Sequence, residues 1–199
     1  KITHVIRGED HISNTPKQMV LEEALGFAHT IQYAHLPLIL GKDRTKLSKR
    51  HGDNSVTRFR KEGYLPEAVV NFLALLGWNP GDEREIFSLE NLVKEFSMDK
   101  VQKSNAVFNI QRLDWINGSY IRQKTSQDLA QLAAPYLPEA SLDAIEKVVV
   151  LYKERLKKLS EIGDLADFFF KENLKYPKEM LQWKQYSDKD VEKALQTEE

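Results

Sequence analysis

Lys46-Leu47-Ser48-Lys49-Arg50 packs three cations and a hydroxyl into five consecutive residues. That pattern suits a polyphosphate. Lysine ammonium groups are compact point charges that can follow phosphate charge as it moves, while a serine and backbone N–H groups bond the same oxygens. Over residues 42–61 eight basic residues (Lys42, Arg44, Lys46, Lys49, Arg50, Arg58, Arg60, Lys61) stand against two acidic ones, Asp43 and Asp53, so the segment expects an anion. The pentapeptide alone admits a second reading as a solvated basic turn, and only its context separates the two. A second polar cluster, Arg7-Gly8-Glu9-Asp10, follows a β-branched run.

The elements that must carry these clusters can be read from periodicity and punctuation. Residues 2–6 predict a strand whose C-terminal end bears Arg7 to Asp10, the end at which open α/β sheets hold ligands. Thr15-Pro16 predicts a helix start and Gly26 its stop. Residues 31–40 read as extended in their second part, with Pro37 marking an edge or irregular stretch. Beyond the basic loop the chain turns helical. Helices are expected over 56–62, closed by Gly63; over 66–76, with Leu65 as a staple and Val69, Val70, Phe72, Leu73 and Leu76 largely buried; over 88–96; and over 110–120, broken near Asn117-Gly118. Further helices are expected over 126–134, 142–159 and 162–170, with Ser187-Asp188 as a late cap. Leu142, Ile145, Val148, Val149, Tyr152, Leu156 and Leu159 form a seam at helical spacing that should pack into a bundle, with Lys153, Arg155, Lys157 and Lys158 as a basic edge. The expected fold class is mainly α with a small α/β portion.

Composition sets bounds on the rest. The 199 residues are 41% hydrophobic and 30% charged with net charge -1, enough for a sizeable core and too balanced for a uniformly basic nucleic-acid binder. With no cysteine there is no disulfide or thiolate site, and the five histidines lack paired ligand spacing, so no structural zinc is expected. No apolar run nears the roughly 18 residues of a membrane span and no signal-peptide layout opens the chain, which reads as cytoplasmic. Lys1 in place of a methionine, followed at once by apolar residues, suggests a chain that begins inside a folded unit.

Four blocks in order, Val5-Ile6-Arg7-Gly8-Glu9-Asp10-His11, Ser13-Asn14-Thr15-Pro16-Lys17-Gln18, His35-Leu36-Pro37-Leu38-Ile39 and Lys46-Leu47-Ser48-Lys49-Arg50-His51-Gly52, resemble bacterial-type glutamyl-tRNA synthetases. Gly63-Tyr64-Leu65-Pro66-Glu67-Ala68, Leu75-Leu76-Gly77-Trp78 and Leu113-Asp114-Trp115-Ile116-Asn117-Gly118-Ser119-Tyr120-Ile121-Arg122 continue the resemblance. It implies a class I synthetase: glutamate and ATP give glutamyl-adenylate and pyrophosphate, and the acyl group passes to the terminal adenosine of tRNA(Glu). It also implies the end of a Rossmann-like catalytic domain (1–60), a helical stem-contact region (61–124) and part of a helical anticodon-binding region (125–199), in a monomer with no membrane partner.

Within that resemblance residues 46–50 correspond to the KMSKS loop, with Leu47 for methionine and Arg50 for the final serine. Lys46 and Lys49 are the candidate catalytic residues, stabilising charge on the departing pyrophosphate, and Leu47, Ser48 and Arg50 complete the ATP contact. Arg7 matches the glutamate-binding arginine, whose fork can grip a carboxylate; the other reading pairs it with Glu9 or Asp10. Asp10 matches an ATP-contacting acid suited to ribose hydroxyls, and Ile39 a position beside adenine. Magnesium is expected only with ATP. Arg155 matches a position that reads the anticodon in some members, against a solvated helix-edge arginine. His11-Ile12-Ser13-Asn14 resembles the HIGH signature but falls after the strand and has Ser13 where the glycine belongs, so the HIGH half is expected to lie outside this chain and the fragment alone to be inactive. Three alternatives remain: the shorter enzyme that glutamylates a tRNA base, which should lack the helical tail; a glutaminyl enzyme, which should continue into β-barrels; and a non-catalytic tRNA-binding or helical interaction module.

Overall fold

The computed structural model describes residues 2–26, 30–48, 50, 52 and 54–171. Its N-terminal segment is a strand–helix–strand unit. Strand β1 (His4–Gly8) runs into a 3-10 turn (Glu9–Asn14) and helix α1 (Thr15–Ala24), then β2 (Gln32–Leu36) pairs with β1 in parallel. Parallel neighbours cannot be joined by a tight turn, and α1 supplies the crossover. The register sets Arg7 opposite His35. β1 lies two residues later than expected, so Arg7 is within the strand and not beyond its end. β2 stops at Pro37, and the two-residue β3 (Ile39–Leu40) pairs in parallel with β4 (Ala106–Val107), tying this segment to the helical part.

The helical part comprises α2 (Val56–Lys61), α3 (Pro66–Gly77), α4 (Leu89–Glu95), α5 (Ile110–Gln123), α6 (Ser126–Ala133), α7 (Leu142–Tyr152) and α8 (Glu161–Ala166). Their starts follow local chemistry: the side chains of Ser55, Ser88, Asn109, Thr125 and Ser141 each accept a hydrogen bond from a backbone N–H in the first turn. α3 packs on α5, and α6 on α7. The buried apolar cluster runs from Phe59 to Ala166, with Leu65, Phe72, Trp78, Leu113, Ile121 and Val149 among its most enclosed members. Among the described residues no helix is long and apolar enough to cross a membrane.

Four sequence expectations need correction. α5 is continuous through Asn117-Gly118, because there the pair serves packing and not a turn. The Asn117 side chain accepts from the Leu65 N–H at 2.8 Å and donates to the Lys157 carbonyl at 2.5 Å, while a Cβ on Gly118 would stand 3.2 Å from the Leu156 carbonyl oxygen. α7 ends at Tyr152; the seam residues Leu156 and Leu159 are buried from the irregular stretch that follows, and Leu142 is exposed. Val70 and Leu73 on α3 are 44% and 46% exposed, since the helix buries the opposite stripe of Ala68, Val69, Phe72, Leu75 and Leu76. The basic edge is partly internal: Lys153 donates to the Lys124 carbonyl at 2.6 Å, and Lys158 lies 3.7 Å from Glu62. The expected cap at Ser187-Asp188 lies outside the described residues.

Candidate functional site

Two neighbouring clusters form on the N-terminal unit, one around Arg7 and one around Lys46. Arg7 leaves β1 half-buried and is gripped by neutral groups. Its Nη2 donates to Thr15 Oγ1 at 2.9 Å and to Gln18 Oε1 at 2.6 Å; Nε donates to His35 Nε2 at 3.4 Å; the guanidinium carbon sits 5.3 Å from the centre of the Tyr33 ring. Tyr33 is oriented in turn by donating its hydroxyl to Glu22, and that bond raises the phenol's pKa. No carboxylate among the described residues pairs with Arg7. Both acidic neighbours are engaged elsewhere: Glu9 accepts from the Leu38 N–H at 3.4 Å, and Asp10 pairs with Lys46. A half-buried guanidinium that no carboxylate among the described residues neutralises keeps its attraction for an incoming one.

Thr15 shows how the site overrides a local rule. Threonine beside Pro16 reads as a helix cap, yet Thr15 is the first helical residue and makes no cap. Its hydroxyl accepts from Arg7 and lies 3.0 Å from His35 Nε2 and 3.4 Å from the His11 carbonyl oxygen. Sequence reasoning placed His35, Thr15 and Gln18 inside matching blocks and gave Thr15 only the start of a helix and the other two no task, because their convergence depends on the register of two strands and a crossover. The alternation of β2 offers the one available signal, since it turns Tyr33 and His35 to the same face.

The second cluster is the basic loop. It folds back on β3 in an antiparallel bridge that sets Lys46 opposite Leu40, closed on one side by a 2.8 Å bond from the Leu47 N–H to the Ile39 carbonyl oxygen. A tight turn allows this return: Gly41 N–H bonds the Thr45 carbonyl oxygen at 2.8 Å, and Arg44 adopts φ 60°. Lys46 is thereby set against the start of the 3-10 turn, where its ammonium pairs with Asp10. That hydrogen bond holds the Asp10 carboxyl below its ordinary pKa. Gly8 makes room for the carboxylate, because a Cβ there would stand 2.5 Å from Asp10 Oδ1. Leu47 packs against the helical core, Ser48 is exposed, and Arg50 donates to Thr45 Oγ1 at 2.8 Å. Lys49 lies outside the described residues.

Ile39 faces a different environment. It is 39% exposed and lines a cavity of about 340 Å³ with Ile6, Leu36, Leu73, Trp78 and Phe96. Neither Arg7, Asp10 nor Lys46 reaches that cavity, so the apolar and ionic groups occupy separate surfaces joined through β3. Arg155 is on the helical part, in the turn after α7, with its side chain exposed and its N–H bonded to the Tyr152 carbonyl oxygen at 2.8 Å. Among the described residues no group of three or more His, Asp or Glu side chains is placed to hold a metal ion.

Comparison with known proteins agrees with this layout. Residues 1–115 match the family described as tRNA synthetases class I (E and Q), catalytic domain, and residues 128–198 match the anticodon binding domain family. Among curated relatives, the glutamate–tRNA ligase of Carboxydothermus hydrogenoformans is 47% identical over 188 residues, covering 89% of this chain and 39% of the relative. That of Heliobacterium modesticaldum is 44% identical over 208 residues, covering 100% of this chain and 40% of the relative. Among solved structures, a glutamate tRNA ligase from Elizabethkingia meningosepticum in complex with its amino acid superposes with a TM-score of 0.74 at 32% identity, covering 97% of this chain and 41% of that one. The chain thus spans about two fifths of the length of the relatives it matches.

Proposed function

We propose a function from one premise: the chain belongs to the class I tRNA synthetases for glutamate and glutamine (E and Q), whose catalytic-domain family matches residues 1–115. It forms part of a glutamate–tRNA ligase. A glutamate carboxylate oxygen attacks the α-phosphorus of ATP, the bond to the β-phosphate oxygen breaks, and pyrophosphate leaves. A hydroxyl of the terminal adenosine of tRNA(Glu) then attacks the activated carbonyl, and AMP leaves.

In this reading residues 1–60 complete the catalytic domain, 61–124 contact the tRNA stem and 125–199 lead into anticodon recognition, with Arg155 as a candidate contact. Arg7 takes a carboxylate of the glutamate substrate. Lys46 and Lys49 stabilise the negative charge that grows on pyrophosphate, assisted by Ser48, Arg50 and the backbone at Leu47. Asp10 accepts from the ribose and Ile39 lies along the adenine. Magnesium enters as ATP's companion on its phosphates, and no step is assigned to it. The protein is proposed to act as a cytoplasmic monomer.

The observation that carries the reading is Arg7, a half-buried cation fixed by Thr15, Gln18 and His35 with no carboxylate partner among the described residues. Glutamate-dependent exchange of pyrophosphate into ATP by a protein of the relatives' length containing this segment tests it. Exchange that needs glutamate and is not supported by glutamine is expected; exchange indifferent to glutamate overturns the reading.

A further inference from the structure

We infer that His35 is a positioning residue for Arg7, and that it works only as the neutral imidazole with its lone pair on Nε2. This rests on the glutamate-binding role of Arg7 and deepens it.

A guanidinium can only donate. Arg7 Nε points at His35 Nε2 at 3.4 Å, so that nitrogen must present a lone pair and not a proton. Thr15 Oγ1 accepts from Arg7 Nη2 at 2.9 Å and has one proton of its own, and the nearer of its two acceptors is His35 Nε2, at 3.0 Å against 3.4 Å for the His11 carbonyl oxygen. Both approaches converge on the same acceptor. The neutral tautomer with its proton on Nδ1 leaves Nε2 as the acceptor, whereas the imidazolium keeps the Thr15 contact only by reversing it, with the Thr15 proton turned to the His11 carbonyl oxygen, and sets an N–H and a second positive charge against the Arg7 guanidinium.

No nearby anion compensates that second charge. The titratable and charged groups on the elements packed around His35 are His4 and Arg7 on β1, Glu9, Asp10 and His11 on the 3-10 turn, Lys17, Glu22 and Glu23 on α1 and Tyr33 on β2. Glu22 accepts from Tyr33, Glu9 from the Leu38 N–H, and Asp10 from Lys46, while the His11 ring lies 3.4 Å from the Asn14 side chain. Among the described residues the one charged side chain that bonds His35 is Arg7. Protonation therefore expels the guanidinium from its rest on β2, and Arg7 loses the orientation in which its remaining N–H groups meet a carboxylate. Binding of glutamate weakens as acid protonates His35, while binding of ATP, on the other cluster, does not follow.

The test is glutamate-dependent pyrophosphate exchange by the protein of the relatives' length, as KM for glutamate and for ATP from about pH 8 down to about pH 5.5. The wild-type KM for glutamate should rise about tenfold across that range. His35→Gln, which keeps an acceptor and cannot be protonated, should start a few-fold weaker at pH 8 and stay flat, with KM for ATP unchanged. Thr15→Val, which removes the hydroxyl and leaves His35, should raise KM for glutamate at pH 8 and keep the acid dependence. A glutamate KM with the same pH profile in wild type and His35→Gln overturns the proposal, as does a His35→Gln effect that falls equally on ATP. Absence of any glutamate-dependent exchange overturns this proposal and the ligase reading together; normal exchange indifferent to residue 35 overturns this one alone.

Discussion

Arg7 and Lys46 carry the same charge in different company, and their variants should separate accordingly. Arg7 is oriented by three neutral side chains, so Arg7→Lys keeps the charge and loses the fork. A rise in glutamate KM of about 10- to 100-fold is expected, or about 1.4 to 2.7 kcal/mol, with ATP KM little changed. Lys49→Ala should instead lower the turnover of glutamate activation by about 100-fold or more while moving glutamate KM far less, since its proposed contact strengthens only as charge reaches the leaving group. The Asp10–Lys46 pair gives a prediction that needs no substrate. The hydrogen bond from Lys46 depresses the Asp10 carboxyl in the folded state, so its contribution is present above the unfolded carboxylate value and is lost as pH falls through the folded one. Carboxyl-carbon NMR should find the Asp10 midpoint below the ordinary value, and returned toward it in Lys46→Met; equal midpoints would remove the pair. In the proposed reading ATP's phosphates compete with Asp10 for Lys46.

The elements were legible where a local signal sufficed. Pro66 and Gly77 bracket α3, and Ser88 starts α4 by accepting from the Asn91 N–H at 3.1 Å. They were illegible where a distant contact decided. Asn117-Gly118 has the composition of a turn, yet α5 passes through it because Asn117 caps the entry to α3 from across the fold. α7 stops at Tyr152 although the apolar spacing continues, because Lys153 turns inward to the Lys124 carbonyl. His35 gives no sign in the sequence that it touches Arg7, since a register is a relation between two strands. Gly63 offers a test at this scale. It has φ 77°, and a Cβ there would lie 2.7 Å from Leu159 Cβ and 2.8 Å from the backbone nitrogens of Leu159 and Ser160. Gly63→Ala should cost about 2 to 4 kcal/mol by denaturant unfolding, because both backbone strain and overpacking apply. Gly26→Ala, at φ 78° with nothing within 4 Å, carries the strain alone and should cost about 1 kcal/mol; equal costs would show that the contact with Leu159 is not tight.

Across the whole molecule the apolar residues divide sharply. Every member of the buried cluster comes from residues 59–166, whereas on the N-terminal unit Ile6, Met19, Val20, Leu21 and Leu25 are each at least 47% exposed. A parallel pair is ordinarily covered on both faces, so β1 and β2 should open far more readily than α3 and α5. Hydrogen exchange should show amides of β1 and β2 in this chain exchanging at least about 100-fold faster than those of α3 and α5; equal protection would mean that the unit is as stable as the helical core. The sequence anticipated the fold class and the ionic loop because both rest on composition and spacing. It did not anticipate how the loop is anchored. The Leu47 N–H bonds Ile39 and Lys46 stands opposite Leu40, and the Leu40 carbonyl oxygen accepts at 2.8 Å from the N–H of Phe108, whose ring packs edge-on to Phe72 at 5.1 Å and stacks with Phe59 at 6.2 Å. The basic loop is therefore the short arm of a lever whose fulcrum is a two-residue strand and whose long arm is an aromatic wedge in the helical body. A change in how the wedge packs should therefore be felt at Lys46, and a change at Lys46 in the wedge.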